Sequence, residues 1–290
     1  MHADHDHDIT ALAIGRWASA HDARLSTIMQ ALIRHLHGFA REVALTEPEW
    51  TAAMAWLART GQISDARRAE FILASDVLGL SMLVVEMNHP RGGGATPATV
   101  LGPFYIADSP LMDYGADMAA PVPGIPLVIA GTIRDPAGAP LAGAILDVWQ
   151  ADSHGMYESQ VNSPTARLRG RYTSRNDGSY CVRTVAPLGY SIPMDGPVGQ
   201  LLSRTDISPH RPAHVHFAIA ATDHEPLVTH LFEEGAPYLD SDVVFGTRAE
   251  LVVPFDRRAP GPTPDGRRCD VPWLLAQYDF VLSPKEVTSR

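Results

Sequence analysis

Cysteine is nearly absent: Cys181 and Cys269 are the only two in 290 residues. Two thiols exclude a disulfide framework and an all-thiolate zinc site. Positive charge is also in deficit, with 23 Lys plus Arg against 33 Asp plus Glu and a net charge of −10. That balance argues against a nucleic-acid surface, which concentrates basic residues. No uncharged apolar run approaches the roughly 18 residues that a membrane span needs. The start, Met1-His2-Ala3-Asp4-His5-Asp6-His7-Asp8, lacks the basic and apolar segments of a signal peptide. The expectation is a cytoplasmic chain with neither nucleic acid nor membrane as partner. What is abundant is histidine, 13 in all. With thiolates scarce, a tightly held metal would rest on imidazole and oxygen. His2, His5 and His7 read as part of a polar terminus rather than a site.

At 45% hydrophobic and 19% charged, the chain can bury a sizeable core in one large domain or two ordinary ones. Its texture changes near residue 90. Before it, Leu25, Ile28, Met29, Leu32, Leu36 and Phe39 recur at helical spacing. Thr46 with Glu49 three residues on is a capping box that opens a second helix, with Gly61 as its stop. A third is expected after Ser64, through Ile72, Leu73, Val77, Leu80, Leu83 and Met87, ending at His89-Pro90 and the glycines 92–94. Beyond residue 100, short β-branched runs alternate with turns. Leu127–Ile133, Ala142–Trp149, Tyr180–Val185, His214–Ala220 and Leu251–Phe255 read as strands, with long loops over 186–212 and 257–272. The coarse reading is a helical cap followed by a β-sandwich.

Five histidines (210, 214, 216, 224 and 230) fall between residues 210 and 230. In a strand, His214 and His216 point to the same face and can reach one ion. A His-x-His pair alone is more often polar decoration. Cysteine cannot complete such a site, and Glu or Asp would be the usual completion for a ferrous one. The candidate loops also offer Tyr157 and Tyr190. A tyrosinate is hard and anionic and favours a trivalent cation, but the metal must drive its deprotonation from a pKa of about 10. Either tyrosine alone would read as an amphipathic residue at a core edge.

Several motifs then occur together in order: Leu101-Gly102-Pro103-Phe104-Tyr105, the stretch from Asp147 to Tyr157, Leu168-Arg169-Gly170-Arg171-Tyr172, Gly189-Tyr190-Ser191-Ile192-Pro193, and Arg211 to Phe217. On these motifs the whole chain resembles the intradiol ring-cleavage dioxygenases, the catechol and hydroxyquinol 1,2-dioxygenase group. The resemblance implies an α+β, mainly β, fold. An N-terminal helical dimerisation domain would occupy residues 1–94 and a β-sandwich catalytic domain residues 95–290. It implies one Fe(III) per subunit held by Tyr157, Tyr190, His214 and His216, with solvent hydroxide as fifth ligand. Tyr190 matches the tyrosine that leaves the metal when substrate binds, and Arg211 an arginine that lies over the ring and stabilises its charge. His210 and His224 match no ligand position. His230 stands where catechol members commonly place glutamine. The family also implies a homodimer formed through the helical domain, often around an apolar tunnel that holds a lipid.

The resemblance assigns the substrate pocket to Leu73, Asp76, Val100, Leu101, Gly102, Pro103, Ile192, Pro193, Arg211 and Val244. A carboxylate buried at Asp76 needs a partner, and a ring hydroxyl would supply one. Catechol enzymes resemble this sequence less at that position than hydroxyquinol enzymes do. The expected substrates are therefore O2 and benzene-1,2,4-triol (hydroxyquinol), giving 3-hydroxy-cis,cis-muconate or its tautomer maleylacetate. Catechol or chlorocatechol is the alternative. From other classes, a non-catalytic β-sandwich binding domain would lack iron, and a hydrolytic zinc enzyme would want His and carboxylate ligands.

Overall fold

The computed structural model describes residues 8–65, 68–89, 94–161, 163 and 165–285. The His-Asp start and the Pro90–Gly93 part of the expected hinge lie outside them. By compactness the chain divides into Met1–Arg59 and Thr60–Arg290.

The first unit is helical. In α1 (Ile9–Ala18) the Asp8 side chain accepts from Thr10 N at 3.0 Å. The sequence reading missed this helix because its apolar residues run all round and mark no period. In α2 (Ala23–Glu42), Asp22 accepts from the backbone amides of Arg24 and Leu25, capping the first turn. In α3 (Glu47–Ile63), Glu49 accepts from Thr46 N at 2.9 Å while Glu49 N donates to Thr46 Oγ1, so the expected capping box is present. The helix runs two residues beyond Gly61. Along α2 the periodic residues Leu25, Ile28, Leu32, Leu36 and Phe39 are exposed, while Ser26 and Ile33 are buried.

In the second unit the single third helix expected from the sequence is two, α4 (Glu70–Val77) and α5 (Leu80–Asn88). Gly79 between them takes a left-handed φ of 72°, which ends one helix and starts the next at a new angle. A sandwich follows, built from β1 (Pro126–Arg134), β2 (Ile145–Gln150), β3 (Arg169–Thr173), β4 (Ser179–Val185), β5 (Tyr190–Ser191), β6 (His210–Arg211), β7 (His214–Ala220), β8 (Leu227–Glu233), β9 (Val252–Val253), β10 (Asp256–Arg258), β11 (Gly261–Pro262), β12 (Arg268–Cys269), β13 (Trp273–Gln277) and β14 (Phe280–Val281). The short helix α6 (Pro197–Leu202) interrupts them. In one sheet β1 pairs antiparallel with β4 and parallel with β13 and β14, and β10 pairs with β13. The other runs β3-β2-β7-β8-β9, and β5 and β6 form a separate ribbon.

Leu127, Ile129, Ile133, Leu146, Val148, Val215, Phe217, Ile219, Leu231, Leu274 and Phe280, drawn from both sheets, make the core between them. Expected strands over 127–133, 180–185 and 214–220 are present, and the one expected over 142–149 begins only at Ile145 and runs to Gln150. The expected strand Leu251–Phe255 shrinks to two residues after a 3-10 turn at Ala249–Leu251. The loop 186–212 carries β5, α6 and β6. Among the described residues no helix is long and apolar enough to cross a membrane.

Candidate metal centre and substrate pocket

Strand β7 alternates. Val215, Phe217 and Ile219 face the core, so His214 and His216 share the opposite face. Register completes a row across that face: His216 stands opposite Trp149 on β2 and opposite His230 on β8. Trp149 stacks on His216 with centroids 4.6 Å apart and an interplanar angle of 16°. Loops cover this face and bring the tyrosines. Gly155 (φ 77°) allows the 151–157 loop to reach the segment that carries Tyr190, since a Cβ there would lie 2.8 Å from Tyr190 Cβ.

Tyr157, Tyr190, His214 and His216 therefore meet, all buried. The Tyr157 hydroxyl lies 2.9 Å from His216 Nε2 and 3.3 Å from His214 Nε2, and the two Nε2 atoms are 3.2 Å apart. The Tyr190 ring is 5.3 Å from that of Tyr157 and 5.7 Å from that of His214, centroid to centroid. His214 Nδ1 donates to the Pro212 carbonyl at 2.7 Å, which fixes the tautomer and leaves the Nε2 lone pair facing the Tyr157 hydroxyl and His216 Nε2. Burial, helped by the Arg211 charge, pushes the His214 pKa down to about 3, so the ring is neutral and able to bind a cation. Burial, then the nearby Tyr190, raises the Tyr157 hydroxyl well above its ordinary value. Burial also raises Tyr190, partly opposed by the Arg211 charge and by hydrogen bonds with Tyr157 and Arg211. A bound trivalent ion would supply the charge needed to ionise these phenols. Two convergent lone-pair nitrogens and two phenol oxygens in a buried pocket fit a non-haem iron ion.

Arg211 is fully enclosed on the ribbon strand β6, which pairs with Tyr190. Its Nε and Nη2 donate to Asp242 at 3.0 and 3.3 Å, and its Nη1 lies 3.0 Å from His214 Nε2. Burial works against the guanidinium charge, but the Asp242 carboxylate and the neighbouring tyrosines outweigh it, so the Arg211 pKa is raised. Asp242 in turn accepts from the amides of Val244 and Gly246. Sequence reasoning missed Asp242, which stands 31 residues beyond Arg211 with no local signal, and it missed the packing role of Trp149. Phe104, which stacks on Tyr157 at 4.4 Å, lay within a quoted motif without an assigned role.

Of the expected pocket residues, Leu73, Pro103 and Pro193 line one cavity of about 300 Å³, together with Phe104 and the Arg68–Glu70–Asp195 ion-pair cluster. Val100, Ile192 and Val244 are buried, and Gly102 approaches His216 Cε1 so closely that a Cβ would lie at 3.3 Å. Leu101 lies at the surface, 42% exposed. Asp76 is buried on α4, and neither carboxylate oxygen has a hydrogen-bond partner. The nearby Ser81 hydroxyl donates instead to Ser75 at 2.8 Å. Burial raises the Asp76 pKa, and the Arg211 charge opposes it. His210 stacks on Tyr238 and His224 is bonded to Thr222 O, both apart from this cluster. His230 belongs to it, with one nitrogen each of His214, His216 and His230 within 4.8 Å of one another.

The chain resembles known proteins over nearly its whole length. The family model described as Dioxygenase matches residues 100–284, and that described as Catechol dioxygenase N terminus matches residues 22–96. The chain is 43% identical to the hydroxyquinol 1,2-dioxygenase of Nocardioides simplex, over 96% of each chain. It is 46% identical to the 6-chlorohydroxyquinol 1,2-dioxygenase of Cupriavidus pinatubonensis, over 96% of this chain and 97% of that one. The solved hydroxyquinol 1,2-dioxygenase of Pseudomonas putida superposes with a TM-score of 0.88 at 43% identity, covering 96% of this chain and 98% of the other. With both the fold and the sequence in agreement, the chain belongs to the intradiol ring-cleavage dioxygenases, a non-haem-iron family that acts on aromatic diols with O2.

Proposed function

We propose that this chain cleaves hydroxyquinol between its two adjacent hydroxylated carbons, with both atoms of O2 entering 3-hydroxy-cis,cis-muconate or its tautomer maleylacetate. The observation that carries the triol over a simple diol is Asp76, a buried carboxyl group whose two oxygens lack hydrogen-bond partners. A third ring hydroxyl supplies the missing bond, and a site built to bond a hydroxyl rejects analogues without it. The names of the Nocardioides and Pseudomonas relatives support the same reading.

Tyr157, Tyr190, His214 and His216 hold one Fe(III) per chain. A bound Fe(III) would supply Lewis acidity that favours the ionised diol, the form whose ring is electron-rich toward O2. Tyr190, whose tyrosinate form lies beside Arg211, accepts a substrate proton and becomes a neutral phenol. Arg211, paired with Asp242, stabilises negative charge developing on the ring. Leu73, Val100, Gly102, Pro103, Ile192, Pro193 and Val244 shape an apolar wall that excludes water, with Leu101 at its outer edge. The exposed apolar row of α2 supports pairing of two chains through the helical segment 1–94.

Oxygen uptake on hydroxyquinol, catechol and 4-chlorocatechol tests the assignment. Hydroxyquinol should turn over fastest, and Asp76→Leu should cut kcat/KM for it by about 10–100-fold while sparing catechol. Faster turnover of catechol by the unaltered enzyme removes the triol assignment. Iron-replete protein without a tyrosinate-to-iron visible band removes the ferric one.

A further inference from the structure

His230 is left over from the ligand set above. It is fully buried, and its ring centroid lies 4.2 Å from that of His216 and 5.0 Å from that of His214. One of its nitrogens, Nδ1, lies 2.5 Å from Thr99 Oγ1, and the other, Nε2, is buried with no hydrogen-bond partner. An orphaned buried nitrogen costs free energy and calls for a reason. We propose that His214, His216 and His230 form a second donor set in the same pocket. It takes a divalent first-row cation, such as Fe(II), Co(II) or Zn(II), through three imidazoles and without the phenols.

The donor chemistry separates the two modes. Neutral imidazole suits divalent iron, cobalt and zinc, and three imidazoles with one position left open is an established zinc arrangement. Two anionic phenolates favour a trivalent ion instead. Spacing fits as well. Nitrogens about 2.0–2.1 Å from a tetrahedral ion stand roughly 3.3 Å apart, and the Nε2 atoms of His214 and His216 are already at 3.2 Å. The three candidate donor nitrogens lie within 4.8 Å of one another, so closing on one ion needs a shift on the order of 1–1.5 Å.

Support behind the donors is also built in. His214 Nδ1 is held by Pro212 O and His230 Nδ1 by Thr99, whose own amide donates to Val228 O at 2.8 Å. Partners of this kind fix ring orientation and tautomer in metal sites. His216 has no such bond, and its ring is packed between Trp149 and His230 instead. The Arg211 guanidinium beside His214 opposes a second cation, and its pairing with Asp242 offsets that repulsion.

Titrating the full-length apoprotein with Co(II), and reading visible d–d absorption and stoichiometry, tests the proposal independently of the ferric reading. One Co(II) per chain is expected. His230→Gln should weaken it on the order of 100-fold and Thr99→Val roughly 10-fold, whereas Tyr190→Phe should leave it within about two-fold. The His230→Gln protein should keep its ferric tyrosinate band after iron loading, which also shows that it folds. Equal Co(II) affinity in wild type and His230→Gln overturns the proposal, as does Tyr190→Phe weakening Co(II) as much as His230→Gln. If wild type lacks the ferric band but the Co(II) differences persist, the ferric dioxygenase reading fails and the three-imidazole site stands.

Discussion

The two faces of the β3-β2-β7-β8-β9 sheet are both buried, yet they are built on opposite rules. On the inner face, Val148, Val215, Phe217, Ile219 and Leu231 bury carbon against carbon from the other sheet. On the outer face the intervening residues are Trp149, His214, His216 and His230, just as enclosed and predominantly polar. Three orphaned nitrogens, Trp149 Nε1, His216 Nδ1 and His230 Nε2, gather there. Folding alone would not retain them, because each costs free energy without a partner. One pleat thus assigns stability to one face and chemistry to the other, and unsatisfied polarity shows which is which.

The largest effects should come from the inner face. Phe217→Ala is expected to cost about 3–5 kcal/mol in urea unfolding, the usual range for a fully enclosed phenylalanine. Asp242→Ala should approach that figure, about 3 kcal/mol, because it strands the Arg211 charge in the interior. It should also depress turnover while leaving the iron in place, since no ligand is removed. An Asp242→Ala protein as stable as wild type would mean that the ion pair is not enclosed as described. His216→Leu provides the sharpest contrast. It deletes a proposed ligand and replaces an orphaned polar ring with carbon, so apoprotein stability should change by no more than about 1 kcal/mol. The ferric band should be lost. If His216→Leu destabilises as much as Phe217→Ala, the division of labour between the faces is wrong.

Much of this was legible beforehand. The His-x-His spacing marked β7, and the alternation of β-branched residues located β1 and β4. The tyrosines became candidate ligands only through the order of several motifs, because a tyrosine on its own carries no metal signal. What remained hidden is set by long-range register and by charge. His230 faces His216 because β8 pairs antiparallel with β7, and Asp242 holds Arg211 from 31 residues away, beyond both of those strands. Neither leaves a periodic trace. The break at Gly79 was missed because the apolar period of 72–87 continues through it, while the left-handed glycine resets the helix axis. β3 was missed because Arg-Gly-Arg-Tyr-Thr is too charged to read as a strand, although Arg169 and Arg171 pair there with Glu158 and Asp147.

A smaller effect separates orphaned polarity from satisfied polarity. Arg183, on β4 of the other sheet, donates to both carboxylate oxygens of Asp265, at 3.0 and 2.7 Å, and Thr263 adds a third bond at 2.6 Å. Burial alone would raise the Asp265 pKa, but these hydrogen bonds outweigh it and hold the pKa down at about 2 against an ordinary 3.8. A carboxylate whose folded pKa is depressed stabilises the fold above the unfolded value and loses that contribution as pH falls through the folded one. Wild-type stability should therefore drop between about pH 4 and pH 2 by on the order of 1 kcal/mol from this group, after screening by nearby solvent. In Asp265→Asn that part of the acid dependence should vanish, while the ferric band and substrate preference stay unchanged, because the cluster touches no residue of the metal pocket. An identical acid limb in the variant would show that the Arg183–Asp265 bonds hold no such charge, and that satisfied polar groups here contribute as little to stability as the orphaned ones.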